Sequence, residues 1–287
     1  MIQDIAPYQF DNRYTPEPPQ PASYLLWYDS GRILLQQTGD TITFPRFSDL
    51  PAQAQPQCIY LFSIGEDRFY WLNQKTQPVT EPFTMQSIYA LRTLQPRHYA
   101  YAGLVGFHLH NWYNRHRFCG RCGTALQPDT KERMLHCPNC GVMLYPQICP
   151  AVIIGVTHGD KILLSKYNGR NYKDYALLAG FAEIGETIEE TVKREVWEEV
   201  GLHVKNIRYY KSQPWPHSSS LLFGFFAQLD GDDETIQLEE EELSIAVWMH
   251  RDDLPMEADH VSLTNEMILY FKENPLAFET MPHQNIL

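Results

Sequence analysis

Long apolar runs are missing from this sequence of 287 residues. Its longest, such as Ala151-Val-Ile-Ile-Gly-Val156, are the length of a strand, whereas a membrane-crossing helix needs about 20 apolar residues. A secretion signal is missing too, because Met1-Ile-Gln-Asp-Ile-Ala-Pro7 has neither a basic start nor an apolar stretch behind it. A soluble, cytoplasmic protein with no membrane contact is expected. Positive charge is scarce: 23 Lys and Arg stand against 35 Asp and Glu, a formal net charge of −12. So acidic a whole is unsuited to gripping a long nucleic-acid backbone. It leaves room for one nucleotide end in a pocket where a metal supplies the positive charge. Cysteine is sparse, six in all with four of them in two C-x-x-C pairs. In a chain without a secretion signal that pattern reads as metal binding before disulfides. Cys58 and Cys149 have no partner in the sequence and read as ordinary buried thiols.

What is present suffices for one large domain or two to three small ones, with 44% hydrophobic and 20% charged residues. Three regions are expected: 1–115, 116–144 and 145–287. The first opens on the proline-rich Thr15-Pro-Glu-Pro-Pro-Gln-Pro21, a loop or extended lead-in. Tyr24-Leu-Leu-Trp-Tyr28, Ile33-Leu-Leu35, Ile59-Tyr-Leu-Phe62 and Phe69-Tyr-Trp-Leu72 follow, separated by turn residues, and look like hairpin strands. Helical spacing between Thr84 and Tyr113 predicts one or two helices. From Tyr145 onward the pattern is α/β. Strands are expected at 152–156 and 161–164, with a turn at Gly159-Asp160, then a helix over 187–200, strands at 221–229 and 246–249, and a helix over 263–272. Asp230-Gly-Asp-Asp-Glu234 reads as an exposed acidic loop.

Cys119-Gly-Arg-Cys122-Gly and Cys137-Pro-Asn-Cys140-Gly are separated by fourteen residues. Two such knuckles can set four thiolates tetrahedrally about one Zn²⁺, and the glycines allow the tight turns each requires. Sulfur at all four positions leaves none for water, so this zinc is structural, one per chain. Four unrelated reduced cysteines, or a nucleic-acid-binding ribbon using Arg115, Arg117 and Arg121, are the competing readings. The acidic whole speaks against the second.

The stretch from Gly180 to Leu202 reads as a strand, a glycine-bearing loop, a helix and a glycine stop. Glu195, Glu198 and Glu199 lie at i, i+3 and i+4 and share one helical face. Carboxylates so placed repel one another unless a cation lies between them, and hard oxygen ligands suit Mg²⁺ or Mn²⁺. Arg194 can hold Glu186 in an ion pair, and Gly201 fits a left-handed helix stop. An acidic helix face alone means only a solvated surface. The whole pattern, G-x5-E-x7-R-E-V-x-E-E-x-G-L, means more, and it resembles the signature of the Nudix hydrolase family at every specified position. That resemblance implies an α+β fold, a mixed sheet sandwiched by helices (α/β/α), preceded here by a zinc ribbon and a mostly β amino-terminal domain. It also implies hydrolysis of a nucleoside diphosphate linked to another moiety.

Past the helix, Ser212-Gln-Pro-Trp-Pro-His-Ser-Ser-Ser220 resembles the S-Q-P-W-P-F-P-x-S motif of the NADH pyrophosphatase group, and the ribbon with its fourteen-residue spacing is similar to that group's other hallmark. His217 stands where Phe is usual and Ser218 where Pro is usual. The resemblance implies metal ligation by Glu195, Glu198, Glu199, the Ala179 carbonyl and a later glutamate, which alignment on Trp248 places at Glu242. It implies catalysis by the same four glutamates, one of them the base. It implies substrate contacts from Tyr145, Phe181, Gln213, Trp215, Ser220, Glu132, Arg92 and Thr264, with Arg46 as a looser match, and a pocket shared in a homodimer. Buried aromatic packing is the competing role for Tyr145, Phe181 and Trp215. The implied substrates are NAD(H), cut to nicotinamide mononucleotide and AMP, and the NAD cap on an RNA 5′ end. The altered motif raises ADP-ribose or another dinucleotide as the alternative, and a non-catalytic binding module is a third reading, against which the complete box argues.

Overall fold

The computed structural model describes residues 1–51, 57–168, 175–239, 241, 243–254 and 259–275. Contacts divide the chain into two units, Ile2–Gln147 with Pro216–Ser219, and Met1 with Ile148–Trp215 and Ser220–Leu287. The cysteine pairs, read from the sequence as a domain of their own, group with the amino-terminal strands.

In the amino-terminal unit the aromatic-rich runs form strands as expected. Among the described residues, one sheet has the order β1-β6-β7-β2, from Phe10–Asp11 (β1), Tyr24–Leu26 (β2), Cys58–Ile64 (β6) and Asp67–Leu72 (β7). A second is built on Arg32–Thr38 (β4), which pairs with Tyr28–Asp29 (β3), Thr41–Thr43 (β5) and Thr84–Ser87 (β8). The helical expectation over 84–113 is corrected at its start. Thr84 and Met85 pair with Leu35 and Leu34 across β4, so strand pairing takes residues whose spacing also suits a helix. A short 3₁₀ turn, Ile88–Arg92, follows, and the helix α1, Arg97–Arg115, begins only after Pro96. Its inner face buries Ala100, Leu104, Leu109 and Trp112.

The cysteine region carries a small sheet of order β11-β10-β9, from Gln127–Pro128 (β9), Leu135–His136 (β10) and Met143–Leu144 (β11). Arg133 fastens it to the rest of the unit. Its guanidinium lies 5.3 Å from the Tyr14 ring centroid and donates to the Leu61 carbonyl.

The carboxy-terminal unit is the expected sandwich. Cys149–His158 (β12) forms its centre, with Lys161–Tyr167 (β13), Leu178–Phe181 (β14), Val204–Trp215 (β15), Ser220–Leu229 (β16) and Leu243–His250 (β17) completing a six-stranded sheet. The β12–β16 pair is parallel and the others are antiparallel. Alternation decides the two cores. Val152, Ile154 and Val156 pack with Val192, Val196 and Val200 of helix α2, Ile188–Val200. Ile153, Ile162 and Leu164 pack on the other face with Leu263, Met267 and Phe271 of helix α3, Leu263–Glu273.

One edge of β12 is divided. Thr157 and His158 pair with β13 at the expected Gly159-Asp160 turn, while Ala151–Ile154 pair with β14. Strand β14 therefore delivers the first glycine of the box beside α2. The 230–234 loop is exposed except at its end. There Glu234 accepts from His158 Nδ1 at 2.6 Å and from Lys161 Nζ at 2.8 Å, and its carbonyl takes the Trp248 indole N–H at 3.1 Å. Cys58 and Cys149 are half-buried rather than buried. No helix among the described residues is long and apolar enough to cross a membrane.

Candidate functional site

The four paired cysteines converge. Cys119 and Cys140 Sγ lie 3.5 Å apart, Cys122 and Cys137 3.4 Å, and all four sulfurs lie within 4.8 Å of one another. A tetrahedron of Zn–S bonds of about 2.3 Å has edges of about 3.8 Å, so the donor set fits zinc. Both knuckles use the same turn. Gly123 N–H donates to the Cys119 carbonyl at 2.9 Å and Gly141 N–H to Cys137 at 3.0 Å. Each glycine has φ +73°, a left-handed conformation that a side chain would strain. The Cys122 thiol is held down to about 5 by the Thr124 hydroxyl, and the backbone N–H of Arg121 lowers that of Cys119. Both favour the thiolate that a metal needs.

The box is organised by one arginine. Arg194 donates from Nε to Glu186 Oε1 at 2.6 Å and from Nη2 to Glu186 Oε2 at 2.9 Å, the ion pair expected from the spacing. The spacing did not disclose its other bonds. Nη1 reaches Glu195 Oε1 at 2.7 Å and Glu198 Oε2 at 2.9 Å, and Nη2 donates to the Phe181 carbonyl at 2.9 Å. One side chain thus ties loop, strand and helix. Glu186 also accepts from the Glu183 N–H and the Thr191 hydroxyl, each at 3.0 Å, and Arg194 is the chief reason its pKa falls to about 2. The helix starts at Thr187, whose hydroxyl accepts the Glu190 N–H while Glu190 Oε2 accepts the Thr187 N–H. T-x-x-E is the sequence signal of this reciprocal cap. It ends at Gly201 in the left-handed conformation, φ 69°, as expected.

The glutamates of the helix face differ in setting. Glu198 is more than half exposed, whereas Glu195 and Glu199 are buried. The Glu195 carboxylate lies against the backbone of Gly180, and a Cβ there would meet its oxygens at 2.0–2.1 Å. The first glycine of the box is thereby explained by close approach. It lets an acid of α2 reach the strand that carries Ala179. Among the described residues the four thiols form the tight ligand cluster. The helix glutamates are not drawn to that spacing, and Arg194 bridges two of them.

The remaining site residues fall on both units. In the carboxy-terminal unit Phe181 is half exposed, Trp215 is partly buried at the end of β15 opposite Ser220, and Thr264 lies in the first turn of α3. Ser220 is buried. Gln213 is expected from the sequence as a substrate contact. It is fully buried, its Nε2 donates to the Val261 carbonyl at 2.8 Å, and its Oε1 accepts the Leu263 N–H at 2.7 Å. Its amide positions the start of α3. In the amino-terminal unit, the exposed Tyr145 donates its hydroxyl to Glu132 Oε2 at 2.9 Å, which unites two expected contacts. Arg92 ends the 3₁₀ turn, and Arg46 donates to the Tyr24 hydroxyl at 2.9 Å. His217, one of the two residues that depart from the usual motif, stacks on Tyr89 at 4.8 Å with 3° between the planes, and burial lowers its pKa to about 4. The motif forms the end of β15 and a 3₁₀ turn, Pro216–Ser218. Glu242 lies outside the described residues.

The chain is similar to known proteins. Residues 148–271 match the NUDIX domain, and residues 114–145 match the NADH pyrophosphatase zinc ribbon domain. The chain is 44% identical over 151 residues to the NAD-capped RNA hydrolase NudC of Enterobacter sp. (strain 638), covering 53% of this chain and 58% of that protein. It is 40% identical over 172 residues to the protein of the same name from Escherichia fergusonii, covering 60% and 66%. The match thus spans just under two thirds, at most, of either relative's length. Among solved structures, a NUDIX hydrolase from Nitrosomonas europaea is similar at 25% identity and a TM-score of 0.48, over 58% of this chain and 94% of that one.

Proposed function

We propose that this chain, in which a Nudix domain follows a zinc ribbon of the NADH pyrophosphatase type, hydrolyses the pyrophosphate bond of NAD(H). The products are nicotinamide mononucleotide, oxidised or reduced, and AMP. The same cut on an RNA carrying a 5′ NAD leaves a 5′ monophosphate. The observation that carries this reading is the box itself, with Glu195, Glu198 and Glu199 on one helix and Arg194 and Glu186 pinning that helix to the strand of Ala179 and Gly180.

Cleaving a diphosphate is a problem of charge, since its oxygens repel a nucleophile and the leaving phosphate gains charge. Mg²⁺ or Mn²⁺, when bound, supplies the positive charge and makes a coordinated water more acidic. Glu195, Glu198, Glu199 and the Ala179 carbonyl would hold it, with Glu242 as a further ligand. The base is one of Glu198, Glu199 and Glu242, and the exposure of Glu198, more than half against the buried Glu199, favours it for taking the proton of the attacking water. Arg194 and Glu186 are assigned to positioning these groups. Phe181 offers a half-exposed ring face for the nicotinamide. Tyr145, Glu132, Arg92, Trp215, Ser220 and Thr264 are assigned to substrate contact, in a homodimer. Gln213 is assigned to positioning α3.

The test is a product-resolved assay with NADH, NAD⁺, ADP-ribose and 5′-NAD RNA at equal concentration. AMP from NADH, and monophosphate RNA from the capped RNA, both dependent on added Mg²⁺ or Mn²⁺, is the expected result. Equal or faster turnover of ADP-ribose would assign the chain to the alternative substrate.

A further inference from the structure

The amino-terminal unit contains a half-open cavity of about 740 Å³ that no part of the hydrolytic site uses. Sites for small molecules fall between roughly 300 and 1,000 Å³ and combine apolar walls with a few polar groups. This one fits that description. Its walls include Trp27, Tyr28, Trp71, Tyr113 and His110, and Lys75 and Arg117 line it as cations, with Asp29 as the one acid. The aromatic wall is ordered. Trp71 stacks on Tyr113 with 5.4 Å between centroids and 18° between planes, and His110 meets Trp71 edge-on at 5.3 Å. Phe118, beside Arg117, is 65% exposed and presents a further ring.

Some polar atoms of these walls are already engaged. The Trp27 indole N–H donates to the Gln74 carbonyl, and the Tyr28 hydroxyl to Gly103. His116 is bonded through Nδ1 to the Trp112 carbonyl at 2.7 Å. A carbonyl only accepts, so Nδ1 carries the proton and Nε2 of a neutral ring keeps its lone pair. His110 Nδ1 is different, being buried with no hydrogen-bond partner among the described residues. Burial, and then Arg117, lower its pKa to about 4, so the ring is neutral at pH 7 and offers one donor and one acceptor.

Charge points the same way. Residues 2–147 carry 12 Lys and Arg against 11 Asp and Glu, whereas residues 148–287 carry 11 against 24. The acidity of the chain lies in the carboxy-terminal unit, and the unit with the cavity does not repel an anion.

From these observations we infer a second ligand site in the amino-terminal unit, one that takes a nucleoside monophosphate. The base packs against the exposed Phe118 ring of the cavity wall, and the phosphate meets Lys75 and Arg117. Free AMP and a terminal nucleotide of an RNA share this chemistry. The site stands independently of the hydrolase reading, because none of its residues lies in the box.

The experiment measures AMP binding to the zinc-loaded chain by calorimetry and tryptophan fluorescence, with no Mg²⁺ or Mn²⁺ present to recruit nucleotide to the glutamates. Adenosine, inorganic phosphate and an uncapped 5′-monophosphate oligoribonucleotide are run beside it. One AMP per chain is expected, with quenching of tryptophan, and binding at least tenfold weaker in the Lys75→Ala/Arg117→Ala double variant. Adenosine and phosphate should each bind more weakly than AMP, and whether the oligoribonucleotide or AMP binds more tightly identifies the source of the nucleotide. Zinc content and thermal midpoint check that the double variant is folded, and Lys75→Ala alone, far from the knuckles in sequence, should give part of the loss. NADH hydrolysis should be unchanged in both. Absence of AMP binding, binding indifferent to both substitutions, or phosphate binding as tight as AMP would each overturn the site.

Discussion

Arg194 donates to Glu186, Glu195, Glu198 and the Phe181 carbonyl. On the proposed reading two of those acids would hold the divalent ion, and Nη1 would then give way while the Glu186 pair stays. Neutralising Glu198 should leave the helix in place and remove a ligand. Glu198→Gln is therefore expected to keep its thermal midpoint within a few degrees and lose at least about a hundredfold in kcat, measured as AMP release from NADH. Gly180→Ala tests the close approach. Its Cβ would overlap the Glu195 carboxylate, so it should lose activity comparably and about 1–3 kcal/mol of stability, read by denaturant unfolding. Glu186 gives a pH prediction with a definite sign. Its carboxyl is lowered from 4.5 to about 2, so it favours the folded state above about pH 4.5 and that contribution fades as pH falls toward 2. Thermal midpoints across this window should flatten in Glu186→Gln. The Arg194–Glu186 pair was legible because both positions belong to one motif. The bonds to Glu195 and Glu198 were not, because spacing along a helix does not say where a long side chain turns.

At the scale of elements, β14, its loop and α2 were readable from glycine placement and helical period. Strand β15 was not. Its Gln-Pro-Trp-Pro end carries two prolines, which weaken a strand signal, yet Gln213, Pro214 and Trp215 pair with Leu222, Leu221 and Ser220 at an edge of the sheet, where a missing N–H is tolerated. The 84–87 segment was misread for the converse reason, since its spacing suits a helix until β4 offers a partner. Gln213 joins this strand to α3, and replacing it should act on that junction. Gln213→Leu leaves the Leu263 N–H unmet and should cost about 1–3 kcal/mol while KM for NADH stays within about twofold. A large rise in KM with unchanged stability would return Gln213 to the substrate. The cap at Thr187 is of the same kind. Thr187→Ala should cost about 1 kcal/mol and leave kcat unchanged.

Across the whole molecule, the order of zinc ribbon and Nudix domain was legible because metal and catalytic motifs fix residue types at fixed spacing. The grouping of the ribbon with the amino-terminal strands was not, because it depends on contacts such as Arg133 on Tyr14. That grouping sets the consequence of losing zinc. Cys122→Ser should lose the single zinc, measured by metal analysis, and destabilise the amino-terminal unit.

The claim on which the account rests is that the acidic face of α2 gathers divalent ions around a diphosphate. Anomalous scattering from a crystal soaked with Mn²⁺ and a non-hydrolysable NAD analogue tests it most directly. The account predicts manganese at about 2.0–2.4 Å from carboxylate oxygens of Glu195 and Glu198, in contact with the diphosphate, with Arg194 Nη1 withdrawn from both acids and its pair with Glu186 kept. Bound analogue with no manganese at that face would contradict it.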